Sequence, residues 1–357
     1  MKIAYLLGAG ATQGAIDHAG GQLGQLMWHL APELVKRLVD VIRDSFDNDT
    51  RLLRIVNEID EGTDFEQLIT FFDDSPSERL RAVGSQLQQI FQTVLHERLL
   101  AIEDEIGDGV LDLFEVLIDM HQVNERESLA GFLTLNYDFF LERAIRNFPS
   151  KGVDLGFRED DRTEMVKVLK LHGSFGWKND WPIDVAETYE DSHWIPPGIR
   201  KQKTRYPFNG LWSGALDLLD CDVLRIIGCN LGPNDWDLVS LIFSCKYSHV
   251  ERPPFQVEVI GSPAGAERIR ERFPYLLVRS ILETPDVGRS INAELVDRAV
   301  PFEQLKADEQ RLAIERYGDR NSFLYWLTHK AESVASAAEV DVGNGAFARF
   351  VDRFAGY

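Results

Sequence analysis

An apolar run meets two closely spaced glycines in the stretch Ile3-Ala4-Tyr5-Leu6-Leu7-Gly8-Ala9-Gly10-Ala11-Thr12. This pattern is typical of a buried strand that ends in a tight turn before a helix. Because glycine carries no side chain, the backbone of such a turn can approach a pyrophosphate, and its amides are expected to point at the anion. Alone the pattern is a weak signal, since many strands end on glycine.

Three later segments have the same form, an apolar run followed by a polar turn. They are Phe132-Leu133-Thr134-Leu135-Asn136-Tyr137-Asp138, Leu169-Lys170-Leu171-His172-Gly173-Ser174 and Ile226-Ile227-Gly228-Cys229-Asn230-Leu231. Open parallel sheets bind ligands at the carboxyl ends of their strands. The four strand ends are therefore predicted to converge on one crevice.

The short apolar runs predict an α/β fold with a Rossmann-like parallel sheet of about six strands. The predicted strands cover residues 2–7, 131–135, 166–171, 222–227, 256–260 and 275–281. Residues 1–300 are predicted to form this domain, with a large helical insertion over 26–125 and a loop-rich insertion over 151–210. Residues 301–357 are predicted to form a helical C-terminal extension.

Helical periodicity predicts the content of the insertion. Over residues 32–46 one face collects Leu34, Val35, Leu38, Val39 and Ile42, the spacing of a helix with a buried stripe. A second helix is expected to start near Asp64, which is a plausible cap. Further helices are predicted over residues 79–102, 110–123, 211–219, 264–273, 303–317 and 321–337.

Composition excludes several classes of protein. The chain has 357 residues and a formal net charge of −20, which argues against direct nucleic-acid binding. No apolar run is long enough to span a membrane and no secretory leader is recognisable, so a cytoplasmic protein is expected. The three cysteines are Cys221, Cys229 and Cys245. None of them lies in a Cys-x-x-Cys pair, so no structural zinc site is expected.

The polar turns also allow structural interpretations. Asn136 and Asp138 stand where helix caps are common, which needs no chemistry. His172 follows a buried strand and precedes a glycine, and its imidazole titrates near neutral pH, so a functional role is favoured there. The first turn is not a dehydrogenase fingerprint, because Gln13 occupies the position of the third glycine.

Together the four segments resemble the sirtuin family. Its members carry a Gly-Ala-Gly-Ile-Ser turn, a Thr-Gln-Asn-Ile-Asp motif, a Leu-His-Gly motif and a Gly-Thr-Ser-Leu turn. The same order appears here as Gly8-Ala9-Gly10-Ala11-Thr12, Thr134-Leu135-Asn136-Tyr137-Asp138, Leu171-His172-Gly173 and Gly228-Cys229-Asn230-Leu231.

The resemblance implies a role for each matched residue. Asn136 and His172 are implied to be catalytic, and Asp138 is implied to contact nicotinamide. The residues implied to line the NAD site are Gly8, Ala9, Gly10, Thr12, Gly228 and Asn230. The last of these, Asn230, stands where the family has serine.

Two departures narrow the resemblance. Deacetylases of the family bind zinc with four cysteines between the Leu-His-Gly motif and the next glycine turn, where this chain has only Cys221. Their Pro-Asp-Phe-Arg segment is replaced here by Gln13-Gly14-Ala15-Ile16-Asp17-His18-Ala19-Gly20. With its long helical insertion, the chain looks instead like the sirtuin-like NAD hydrolases of bacterial antiphage defence.

That resemblance implies hydrolysis of NAD to nicotinamide and ADP-ribose, without zinc, by the NAD-depleting effector of a defence system. It also implies gating by homo-oligomerisation or by a partner, such as a HerA-like ATPase or an Argonaute-type protein. Two alternatives stay open. One is a catalytically silent subunit that binds NAD or ADP-ribose, and the other is a protein deacylase, which the missing zinc cysteines disfavour.

Overall fold

The computed structural model describes residues 1–20, 30–46, 48–58, 65–157, 163–174, 194–196, 203–248, 253–261, 263–280, 322–331, 333–334 and 349–350. Seven strands form one sheet, and every pair is parallel. They are β1 (Lys2–Leu7), β2 (Ser128–Thr134), β3 (Lys151–Asp154), β4 (Glu164–Lys170), β5 (Val223–Ile227), β6 (Gln256–Ile260) and β7 (Arg279–Ser280). The predicted α/β class with a parallel sheet is confirmed.

Strand order determines where the crevice lies. The order is β3-β4-β2-β1-β5-β6-β7, so β2, β3 and β4 lie on one side of β1, and β5, β6 and β7 lie on the other. The topological switch point therefore falls between β1 and β5, which is where open α/β sheets bind ligands. Strand β3 is not among the predicted strands, because its four residues begin with lysine and end with aspartate.

Ten α-helices are described before residue 281. They are α1 (Ala9–His18), α2 (Leu30–Ser45), α3 (Thr50–Asn57), α4 (Phe65–Asp73), α5 (Glu78–Ile106), α6 (Asp112–Val123), α7 (Phe140–Arg146), α8 (Phe208–Leu218), α9 (Trp236–Tyr247) and α10 (Pro263–Arg272). Residues 322–331 form a further helix, here the C-terminal helix. None of the described helices is long and apolar enough to cross a membrane.

The predicted helices agree with this pattern wherever the chain is described. In α2 the predicted face is correct, because Leu34, Leu38 and Ile42 are buried while Val35 and Val39 pack at the edge of the core. The predicted cap Asp64 and the predicted helix over 303–317 lie outside the described residues.

A buried polar cluster joins the middle of the sheet to the C-terminal helix. The guanidinium of Arg225 on β5 makes two 2.9 Å hydrogen bonds to the Glu127 carboxylate, which also accepts one from Lys330 at 2.7 Å. Trp326 lies over the same guanidinium at 5.5 Å. Two residues of this cluster come from the C-terminal helix, which is therefore attached to the sheet by charge as well as by packing.

The cluster also shifts proton equilibria. It extends to Tyr5, whose hydroxyl accepts from Arg225 at 3.3 Å and lies 2.8 Å from Nε2 of His121. Burial lowers the pKa of that imidazole to about 4. Burial acts to raise the pKa of Glu127, but its hydrogen bonds to Arg225 and Lys330 outweigh that effect and bring the pKa down to about 2. At neutral pH the cluster therefore combines a neutral imidazole with a paired carboxylate.

The buried imidazole makes stability depend on pH. Because the pKa of His121 is 6.5 when unfolded and about 4 when folded, the unfolded chain binds more protons between these values. The free energy of unfolding is thus expected to fall as pH falls through that window. In the variant His121→Gln, which keeps a polar group near Tyr5, urea denaturation across the window is expected to show a smaller fall.

Gln122→Ala is the matched control, because Gln122 is the exposed, non-titrating neighbour of His121 on α6. It is expected to leave the pH dependence of unfolding unchanged. If His121→Gln retains the full dependence, the imidazole is not held neutral in the folded protein.

Candidate functional site

The four segments predicted to converge end four neighbouring strands. In the order of the sheet these are β4, β2, β1 and β5, and all four point the same way. The residues that follow them therefore lie along one edge, and this edge includes the switch point between β1 and β5.

Two glycine turns pack directly on each other at the switch point. The amide of Gly8 donates to the Ile227 carbonyl and the amide of Gly10 donates to the Gly228 carbonyl, both at 2.9 Å. A Cβ on Gly228 would lie 2.0 Å from the Ala11 nitrogen, and the φ of Gly228 is +62°. Glycine is needed here because the two backbones leave no room for a side chain.

This packing corrects one expectation from the sequence. The amides of Gly8 and Gly10 do not point at an anion, because the turn after β5 already accepts them. The amide of Ala11 donates to the Gly8 carbonyl within the same turn. Ala9 begins α1, and among the described hydrogen bonds its amide has no acceptor outside the helix.

Asn136 follows β2 and bonds to the first glycine turn. Its Nδ2 donates to the Gly8 carbonyl at 2.9 Å and to the Thr12 hydroxyl at 3.0 Å. A carbonyl oxygen only accepts hydrogen bonds, so this contact fixes which end of the amide faces the turn. Both Nδ2 protons are used, and Oδ1 is the atom of this half-buried side chain that remains to accept a bond from a ligand.

Thr12 connects Asn136 to Asp138. Its hydroxyl accepts from Asn136 and donates to Asp138 Oδ2 at 2.8 Å, within a buried contact. The other oxygen, Oδ1, accepts from the Phe140 amide at 3.2 Å, in the manner of a helix cap for α7. Asp138, one residue before the N-cap Phe139, therefore satisfies a backbone amide in the first turn of α7, and it also orients Thr12.

His172 follows β4 in a tight turn. The φ of Gly173 is +74°, and the His172 carbonyl accepts from the Ile195 amide at 2.7 Å. The buried imidazole packs against the ring of Tyr137, with 6.4 Å between centroids. His172 therefore contacts the residue that directly follows Asn136 in the chain.

Sequence reasoning assigned no role to Tyr137, which holds the assembly together. Its hydroxyl donates to the Ile195 carbonyl at 2.7 Å, its own carbonyl accepts from the Ser174 hydroxyl at 2.6 Å, and Trp194 packs edge-on at 5.7 Å. Burial raises the pKa of Tyr137, and the charge of Glu66 on α4 acts in the same direction. The only signal in the sequence was an aromatic residue between two polar ones.

The remaining predicted residues sit closer to solvent. Asn230 is exposed in the turn after β5, beside Cys229, whose thiol pKa burial raises to about 12. Further along the same turn Asp235, which is not among the predicted site residues, accepts from the Gly232 amide at 2.7 Å. The described residues contain no group of three or more His, Cys, Asp or Glu side chains placed to hold a metal ion.

A comparison of the sequence with models of known protein families gives no match, and a comparison with curated proteins gives none either. Evidence on function therefore comes from the residues and their geometry.

Because the glycine turns pack so closely, adding one methyl group at Gly228 is expected to lower the stability of the protein strongly. Gly228→Ala forces a Cβ against backbone atoms of Gly10 and Ala11 at a φ that disfavours side chains. We expect the free energy of unfolding in urea to fall by more than about 4 kcal/mol, or the cooperative transition to be lost.

Gly214→Ala on α8 is the matched control, since its Cβ would lie 3.5 Å from Leu169, an ordinary contact. That change is expected to stabilise the protein by up to about 1 kcal/mol, because alanine favours a helix over glycine. Equal stabilities of the two variants would show that the turns tolerate a side chain between them.

Proposed function

We propose that this chain is an NAD⁺ hydrolase that cleaves the bond between nicotinamide and ribose. One observation carries the proposal: the Asn136 amide is held with Oδ1 as its remaining acceptor, in the turn after β2, and β2 pairs with β4, which His172 follows. Both residues lie on the sheet edge that includes the switch point, and their order along the chain is that of the sirtuin motifs.

The reaction needs positioning more than acid catalysis. Nicotinamide leaves as a neutral molecule that takes the electron pair of the broken bond, so its nitrogen needs no proton. Positive charge builds on the ribose, and a correctly placed water supplies the oxygen that bonds to the anomeric carbon. Preorganised dipoles and fixed geometry provide most of the acceleration in such a reaction.

Asn136 and His172 have different roles in this step. Oδ1 of Asn136 accepts a hydrogen bond from the water and aims its oxygen at the ribose. His172 orients the ribose hydroxyls or accepts the proton that the water loses, and passes it to solvent.

The glycine turns and Asp138 complete the site in this proposal. Gly8, Gly10 and Gly228 let the two turns pack against each other beside the dinucleotide, while the Ala9 amide and the positive end of α1 face its phosphates. Thr12 and Asp138 orient Asn136. The contact of Asp138 with nicotinamide that the resemblance implies requires one carboxylate oxygen to accept a second donor, because each already accepts one.

An unregulated NAD hydrolase would deplete the NAD of its own cell. We therefore propose that this chain is the NAD-depleting effector of an antiphage defence system, and that oligomerisation or a partner protein gates it. Gating of this kind is most simply built from symmetric interfaces between copies of one chain.

Substitution of either proposed catalytic residue tests the chemistry. Asn136→Ala and His172→Ala are each expected to lower the rate of nicotinamide release from NAD roughly 10²–10⁴-fold, because each removes one positioned group. Asn147→Ala and His329→Ala are the controls, since both residues are exposed and lie outside the site. Wild-type rates in both site variants would overturn the assignment, and NAD binding without turnover in the native protein would favour the silent subunit.

Assembly and activity are expected to rise together. Light scattering on the isolated chain, combined with the rate of nicotinamide release over a range of protein concentrations, is expected to show higher specific activity in the oligomer. A strict monomer that hydrolyses NAD at the full rate would contradict gating by assembly. Acetyl-lysine removal from a peptide would instead support the deacylase.

A further inference from the structure

A buried ion pair lies directly behind the turn that carries Asn136. Nζ of Lys170 on β4 is 3.0 Å from Oε1 of Glu142 on α7, and each side chain is only 1% exposed. Removing both charges from water is expensive, and apolar residues of similar volume often serve stability equally well or better. Stability alone therefore gives a weak reason for this pair.

The lysine makes a second polar contact, and this one reaches the site. Its Nζ also donates to the backbone carbonyl of Asp138, and it lies 5.5 Å from the centroid of the Phe139 ring. An ammonium group has three donors, so it can bond to Glu142 and to the turn at once. Glu142 holds the ammonium in place, and the ammonium holds the turn.

The position of Lys170 connects the two proposed catalytic residues. Lys170 is the last residue of β4, two positions before His172, and its contact with Asp138 is two positions after Asn136. One side chain thus spans from the strand end that carries the histidine to the turn that carries the asparagine.

We propose that the Lys170–Glu142 pair is a positioning device that sets Asn136 relative to His172. Neither residue touches the substrate in this proposal; both act through the backbone of the Asp138 turn. The effect of the pair on catalysis rests on the proposed NAD hydrolysis. Its effect on the position of Asn136 does not.

The test replaces the pair by apolar residues of similar size, Lys170→Met with Glu142→Leu, so that no charge is left buried alone. The matched control is Arg143→Met with Glu103→Leu, which removes a 2.7 Å ion pair from the next position of the same helix, facing α5, together with the 2.7 Å contact of Arg143 with the exposed Asp108. Both double variants are expected to unfold cooperatively on heating. We expect kcat for nicotinamide release to fall about 10²-fold in the first and to be unchanged in the second, with KM near wild type in both.

A second readout does not depend on activity. In protein labelled with [¹⁵N]asparagine, the side-chain amide signals of Asn136 are identified by their absence from Asn136→Ala. Their chemical shifts report the hydrogen bonds to Gly8 and Thr12. These signals are expected to move or broaden in the Lys170→Met/Glu142→Leu variant and to stay in place in the control.

The outcomes separate the two proposals. If wild-type protein, alone or assembled, releases no nicotinamide, the proposed function fails, and the Asn136 signals alone decide the positioning role. A folded Lys170→Met/Glu142→Leu variant with unchanged Asn136 signals overturns the positioning role, whatever its rate. An equal loss of kcat in both double variants overturns it as well, because the effect would then come from any disturbance of α7.

Discussion

The close approach of two backbone turns is the constraint on which the centre of this molecule depends. The turn after β1 donates two hydrogen bonds to the end of β5 and its following turn, from Gly8 to Ile227 and from Gly10 to Gly228, with no space for a side chain between them. This contact holds the ends of the two strands at the switch point together. It also fixes the Gly8 carbonyl and the start of α1, from which Thr12 projects toward Asn136.

The polar residues at this edge satisfy one another. Asn136 donates to Gly8 and Thr12, Thr12 donates to Asp138, and Asp138 also accepts from the first turn of α7. A buried polar group without a partner is costly, so such a network has few alternative arrangements. One side chain serves two purposes here, because Asp138 accepts from the first turn of α7 with one oxygen and from Thr12, which in turn accepts from Asn136, with the other.

Two buried charged clusters join parts of the chain that are distant in sequence. Behind the site, Lys170 links β4 to α7 and to the Asp138 turn. In the middle of the sheet, Arg225 and Glu127 bring Lys330 and Trp326 of the C-terminal helix onto β5. Both clusters replace apolar packing with directional bonds, which specify one arrangement of elements more narrowly than apolar contacts do.

The sequence by itself determined the α/β class, most strand and helix positions and the residue types at four strand ends. It did so because the buried faces of strands and helices require apolar residues at regular spacings. It did not predict β3, because four residues with polar ends are too few to show such a spacing. Nor did it determine where the amides of Gly8 and Gly10 donate, what Asp138 orients, or that Lys170 and Glu142 pair. Those depend on strand order, because the partner of a polar group is whichever element the sheet places beside it, and only the tertiary structure decided that β5 lies against β1 and β4 against β2.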